Sequence, residues 1–227
     1  MTLPWLDWLA FAAFVSILLG YSWLIERSPW SKHTLSVQMG KIRRRWFAEC
    51  LKRPLRMPDT LIMGLLTNGA AYFGSASLLG IGAGFTLFTA ADSLPAWIGA
   101  GISLKALLLM LIFAAAFFQF AWAYRLFNYN AIAIGAIPQD VSDQSARDIM
   151  IQATALNVLA GQHFNQAIRL FLFAIPLIFW LVSPWALLAT TLGLTFIMLR
   201  RQFFTKTHLN GLTLAWNIEQ KEESYGV

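Results

Sequence analysis

Charge is what this sequence is shortest of. Only 12% of its 227 residues are Asp, Glu, Lys or Arg, where a soluble domain carries about a quarter. A water-facing surface cannot be made from so few charges. Cysteine is reduced to Cys50 alone, which excludes an intramolecular disulfide. Three scattered histidines supply no metal-ligand spacing, so neither a metal nor another cofactor is expected. Acidic residues are missing from the interior of every apolar run. Asp7 and Asp92 stand at run ends, and Asp59 precedes the second run. A proton relay through a membrane normally needs an intramembrane carboxylate or histidine, so that class loses weight. There is no glycine loop with lysine and no Ser-His-Asp order. General acid–base chemistry would rest on His163 with Asp140, Asp143 or Asp148. The balance is against an enzyme.

What is abundant is apolar sequence. Hydrophobic residues make up 58% and the mean hydropathy is +0.58. Runs of around 20 apolar residues recur, the length that crosses a bilayer as a helix. The expected fold is all-α, a polytopic membrane bundle of about five transmembrane helices with one amphipathic interfacial helix. The spans are placed at 5–25, 60–88, 104–127, 164–182 and 185–199, in one transmembrane domain over 1–205. Residues 206–227 form a tail. The first run lacks a basic leader and a small-residue cleavage site, so it reads as a retained helix. Ser183-Pro184 reads as the hairpin turn between the last two spans.

Orientation follows from the basic loops. Residues 26–59 hold nine Lys or Arg against three acids, whereas "TAADSLPAWIGAGIS" holds no basic residue. Positive loops stay inside. That places 26–59 and the tail in the cytoplasm and the N-terminus outside, as expected for a bacterial inner membrane. Trp5, Trp8, Trp97, Trp180 and Trp185 fall at the outer boundary, Trp23 and Trp122 near the inner one.

The second span is overlong and glycine-rich, and "GIGAG" at 80–84 reads as a break in it. Gly74, Gly80 and Gly84 are candidate helix-packing positions, because small residues let helices approach closely in lipid. Packing within the chain, a subunit interface and a pore-lining helix all remain open. In "LSVQMGKIRRRWFAECLKRPLRMPDT", Met39, Ile42, Trp46, Phe47 and Leu51 recur at near-helical spacing among basic residues. Such a helix suits the headgroup plane. Arg43, Arg44, Arg45, Lys52 and Arg53 are the candidate anionic-lipid contacts. Charge tethered at a bilayer, with no binding fold around it, excludes nucleic acid as a partner.

Further along, Ser142 or Asp143 suits an N-cap for a helix starting near Gln144. On that helix Gln162, Asn165 and Arg169 share one stripe at i, i+3 and i+7, with Asn157 on a nearby face. Arg169 either snorkels to headgroups or helps line a polar inner mouth. The candidate mouth residues are Asn68, Arg125, Asn128, Asn130, Gln162, His163, Asn165 and Arg169.

Two stretches, "RLFNYNAIAIGAIP" and "AGQHFNQAIRLFLFAIPLIFWLVSPW", are similar to a family of integral membrane proteins catalogued as domain of unknown function 599. The likeness extends over about residues 5–205. It implies a bacterial-type membrane protein, with Arg125, Asn128, Asn130, Gly135, Pro138, His163, Asn165 and Arg169 as matching positions, and it brings no activity. From the residues, the leading expectation is a homo-oligomeric channel or solute pathway with a basic cytoplasmic side. An accessory or scaffold subunit of a larger membrane complex is the alternative, and a lipid-processing enzyme the third.

Overall fold

The computed structural model describes residues 4–93, 101–138 and 143–203. Among them there is no strand. Six α-helices form: α1 Trp5–Glu26, α2 Leu35–Lys52, α3 Met57–Ala90, α4 Ile102–Ala136, α5 Gln144–Trp180 and α6 Pro184–Phe203. Helices α1, α3, α4 and α5 are long and apolar enough to cross a membrane. The fifth expected span corresponds to α6, a 20-residue helix that ends near Arg200 and Arg201 and falls outside that group of four. The expected outer-boundary Trp97, the acid Asp140, the cap candidate Ser142 and the tail lie outside the described residues.

Local signals explain several boundaries. Asp143 Oδ1 accepts the Ser145 N–H at 2.8 Å and so starts α5 at Gln144. Ser183 Oγ accepts the Ala186 N–H at 3.1 Å, with Pro184 at the first position of α6. The expected break in the second span does not occur, because α3 is one helix through residues 80–84. In lipid a broken helix leaves peptide groups without partners, so continuity is the cheaper state. The glycines serve close approach instead. A Cβ on Gly80 would meet the Phe113 ring at 2.7 Å, and one on Gly84 would meet Met110 Cγ at 2.5 Å.

Helix α4 runs past the expected end at 127, and the helix expected from near Gln144 continues unbroken into the span expected at 164–182 as α5. The reason is a buried seam with heptad spacing. In α4 it comprises Ala106, Leu109, Phe113, Ala116, Phe120, Ala123, Phe127, Asn130 and Ile134. In α5 an alanine is fully buried every seventh residue, at 146, 153, 160, 167 and 174. A 3.5-residue repeat keeps one stripe of a long helix facing its neighbours.

The chain clusters into two compact units. Unit one takes Met1–Ser31, Phe73–Phe118 and Gln166–Arg200; unit two takes Lys32–Tyr72, Gln119–Asn165 and the remainder. Helical segments of unit one are each roughly one hydrocarbon thickness long at 1.5 Å per residue. Its core gathers Phe14, Phe113, Phe173, Leu177, Trp180 and Leu187, with Phe11 stacked on Trp180 at 5.1 Å between centroids. Unit two packs Phe47 and Cys50 of α2 against Met63, Leu126, Phe127, Ala153 and Ala160. The amphipathic helix is therefore present, and Phe47 and Leu51 of its apolar side are covered by the chain itself, while Met39 stays exposed.

Candidate functional site

In unit two the seam carries two buried amides, Asn130 on α4 and Asn157 on α5, both fully buried. Asn157 Nδ2 donates to Asn130 Oδ1 at 3.1 Å and lies 3.2 Å from Met63 Sδ. Asn130 Nδ2 donates to the Ala153 carbonyl. Onto this pair comes Arg43 from α2. Its Nη1 donates to Asn157 Oδ1 at 2.7 Å and to the Asn157 carbonyl at 2.9 Å. The guanidinium lies 5.9 Å from the Phe127 ring centroid and occupies the space a Cβ on Gly161 would need, 2.9 Å away. Burial lowers the Arg43 pKa from its ordinary value. Arg43, grouped by charge with the candidate lipid contacts, turns inward, because two acceptors and an aromatic face replace the water it gives up.

A second cluster sits where α2 meets α3. Asp59, fully buried, accepts the Trp46 indole N–H at 2.6 Å and Arg53 Nη1 at 2.7 Å. Arg56 donates to the Ile137 carbonyl and, at 2.8 Å, to the Pro138 carbonyl, so it caps the end of α4. Cys50 lies 1% exposed beside this cluster. Burial first, and the Asp59 charge second, push its thiol up to about 11. A thiol pKa raised by folding stabilises the fold fully below the unfolded value near 9. That contribution is lost as pH rises through about 11. We expect maleimide to leave Cys50 unlabelled at neutral pH in the folded protein and to label it at once after unfolding. Rapid labelling of the folded protein, followed by mass spectrometry, would contradict this.

The other sequence candidates disperse. His163 Nδ1 sits 2.7 Å from Gln119 Oε1, with the Trp122 ring edge-on at 6.4 Å. Asp143 caps α5 and Asp148 accepts from Gln144, so neither is placed at His163. Asn165 donates to Ser36 Oγ at 2.8 Å, while Gln162 and Asn68 are exposed. Arg125 Nε donates to the Tyr129 hydroxyl on the surface. Asn128 is half-buried. Of the remaining basic candidates, Arg45 and Lys52 both reach Glu49, Arg53 holds Asp59, and Arg44 is exposed.

Unit one contains two further charged pairs. Arg169, nine-tenths buried, donates to Glu26 at the last residue of α1. Lys105 Nζ lies 2.8 Å from Asp7 Oδ1 and 3.2 Å from the Trp180 carbonyl, and Trp180 Nε1 donates to Asp7 Oδ1 at 2.7 Å. Trp180 is thus buried against a carboxylate, not spread at a lipid boundary, because its N–H requires an acceptor. Sequence reasoning missed Lys105, Glu26 and the linking role of Asn157. A lysine inside an apolar run and an asparagine between Ala153 and Ala160 of the seven-residue alanine repeat were the available signals.

Among the described residues no three of His, Cys, Asp and Glu gather to hold a metal ion. The model of one family, described as Protein of unknown function, DUF599, matches residues 9–207. No curated protein and no solved structure matches the chain.

Proposed function

Taking as premise that the chain belongs to the protein-of-unknown-function family DUF599, we propose a non-catalytic role: a scaffold or accessory subunit that holds a basic helical module at the cytoplasmic face of a bacterial inner membrane. One observation carries this. The buried polar groups that a pore or an active site would use are engaged with each other, as Arg43–Asn157–Asn130, Arg169–Glu26 and Lys105–Asp7. What remains available is surface. Residues 32–72 hold eight basic residues against two acids, while unit one holds four against three. Basic segments are retained on the cytoplasmic side. An outward stripe of α2 presents Arg44 and Lys52.

The homo-oligomeric channel ranks second. Its support is α3, where nothing lies within 4 Å of a Cβ built on Gly64, Gly69 or Gly82, so a neighbouring helix has room to approach. Its difficulty is that Arg125, Asn130, His163, Asn165 and Arg169 of the expected lining are already paired. Lipid processing ranks third, since His163 has an amide beside it rather than an acid.

Native mass spectrometry of the chain purified at natural abundance in mild detergent tests the order. The expected result is a second, different polypeptide in fixed ratio. Liposomes holding the chain should pass no more chloride or phosphate than empty ones. A closed homo-oligomer that conducts would overturn the scaffold reading in favour of the channel.

A further inference from the structure

The segment joining α2 to α3, "LKRPLRMPD" over residues 51–59, alternates sharply between inside and outside. Leu51, Arg56 and Asp59 point inward. Leu51 packs with Ile137 and Ala146, Arg56 binds the two carbonyls ending α4, and Asp59 takes Trp46 and Arg53. Lys52, Leu55 and Met57 point outward, with Leu55 76% and Met57 74% exposed. Two prolines, Pro54 and Pro58, stiffen the segment further. Leu61 and Leu65 extend the exposed apolar surface along α3, at 66% and 73%.

Single exposed leucines need no explanation, but this arrangement is built. Four hydrogen bonds and two prolines hold large apolar side chains out of the protein, in the part of the chain richest in cations. Lys52 and Arg53 directly precede them, and Arg44 and Arg45 stand about two turns back along α2. The acids Glu49 and Asp59 are each already paired with a basic residue. Apolar tips flanked by cations match one environment, the headgroup and upper acyl layer of an anionic leaflet. Helix α2 contributes less to such an insertion, since its Phe47, Cys50 and Leu51 are buried in the protein and its Val37 and Met39 are only 40% and 41% exposed.

We infer that the α2–α3 elbow is a lipid-docking wedge, in which Leu55 and Met57 enter the acyl boundary and Lys52, Arg53 and Arg44 bind phosphate oxygens of anionic phospholipids. Arg53 does this with its exposed side while Nη1 keeps Asp59. The wedge deepens the proposed scaffold role by naming what the basic module binds, and it rests on that reading only for the side of the bilayer.

The test places a nitroxide at Leu55→Cys. Buried Cys50, inert at neutral pH, can stay in place. The full chain is reconstituted in nanodiscs of phosphatidylcholine and in an equimolar mixture with phosphatidylglycerol. Collision with oxygen is compared with collision with a water-soluble nickel chelate. In the anionic discs the Leu55 label should favour oxygen several-fold, and the same label on Ala48→Cys of α2 should not. The preference should fall in phosphatidylcholine, and also when Lys52→Gln and Arg44→Gln are combined. Added inorganic phosphate should leave it intact, since a free anion brings no acyl layer. Nickel-accessible labels in both compositions would overturn the wedge. So would equal shielding in both compositions, which would assign the elbow to a protein neighbour. Neither result depends on the subunit composition found by native mass spectrometry, so the two readings fail separately.

Discussion

Lys105→Met is expected to be the most destabilising single substitution in unit one, by about 3–5 kcal/mol. It leaves the Asp7 carboxylate buried at 5% exposure with only the Trp180 indole as partner. An uncompensated charge in a low-dielectric interior costs far more than the lost ion pair itself would suggest. The same argument predicts a rescue. Combining Lys105→Met with Asp7→Leu removes both charges and leaves the Trp180 indole N–H and the Trp180 carbonyl without these partners, a deficit of about 1–3 kcal/mol for each group that stays unpaired. Unfolding in mixed micelles of dodecyl sulfate and a mild detergent gives both numbers. A double variant no better than Lys105→Met would mean that the pair is not what holds α1, α4 and α5 together at this point.

Asn157→Leu should be nearly as damaging in unit two, at about 3 kcal/mol. One amide there serves three elements. It accepts from Arg43 of α2, donates to Asn130 of α4 and lies on the buried seam of α5. Leucine preserves the volume and the apolar period but leaves the guanidinium only the residue-157 backbone carbonyl beside Phe127, and takes the donor from Asn130 Oδ1. Adding Arg43→Met should recover a large part of the loss, since both partners are then apolar. A further sign separates this from a general core defect. Release of Arg43 frees α2, so protease cleavage within 35–52 should rise well before the global transition. Cleavage that rises only with global unfolding would show that Asn157 acts through packing alone.

Polar residues on heptad seams are known to fix register at some cost in stability. Asn130 and Asn157 occupy such positions here. An apolar seam along helices as long as α4 and α5 would tolerate sliding by a full heptad. An amide pair favours the one register in which Asn130 and Asn157 meet, since a slip would leave both buried amides without each other. Gly161 belongs to the same device, since a side chain there would meet the Arg43 guanidinium.

Some of this was readable from the residues alone. Apolar runs, basic loops, Ser183-Pro184 and Asp143 gave the helical class, the long apolar helices and two boundaries, because each depends on local chemistry: hydropathy, charge, or a side-chain oxygen beside a free N–H. The break expected at residues 80–84 was misplaced, since glycine permits bending but does not require it. Heptad periodicity was present in the sequence and would have extended α4 beyond residue 127 to its true length.

Partner identity was not local and could not be read that way. Whether Arg43 faces lipid or protein depends on which helix passes 114 positions further along the chain. The expected polar mouth assumed that residues sharing a stripe of α5 share an environment, yet Asn165 goes to Ser36 and Arg169 to Glu26. The sequence by itself determined that this is a multi-pass helical membrane protein with basic residues concentrated between its first two long apolar helices. Only the tertiary structure decided which charges are neutralised inside and which are left to act outside. A charge in a membrane protein is fixed by the partner that offsets its desolvation, and that partner is set by packing.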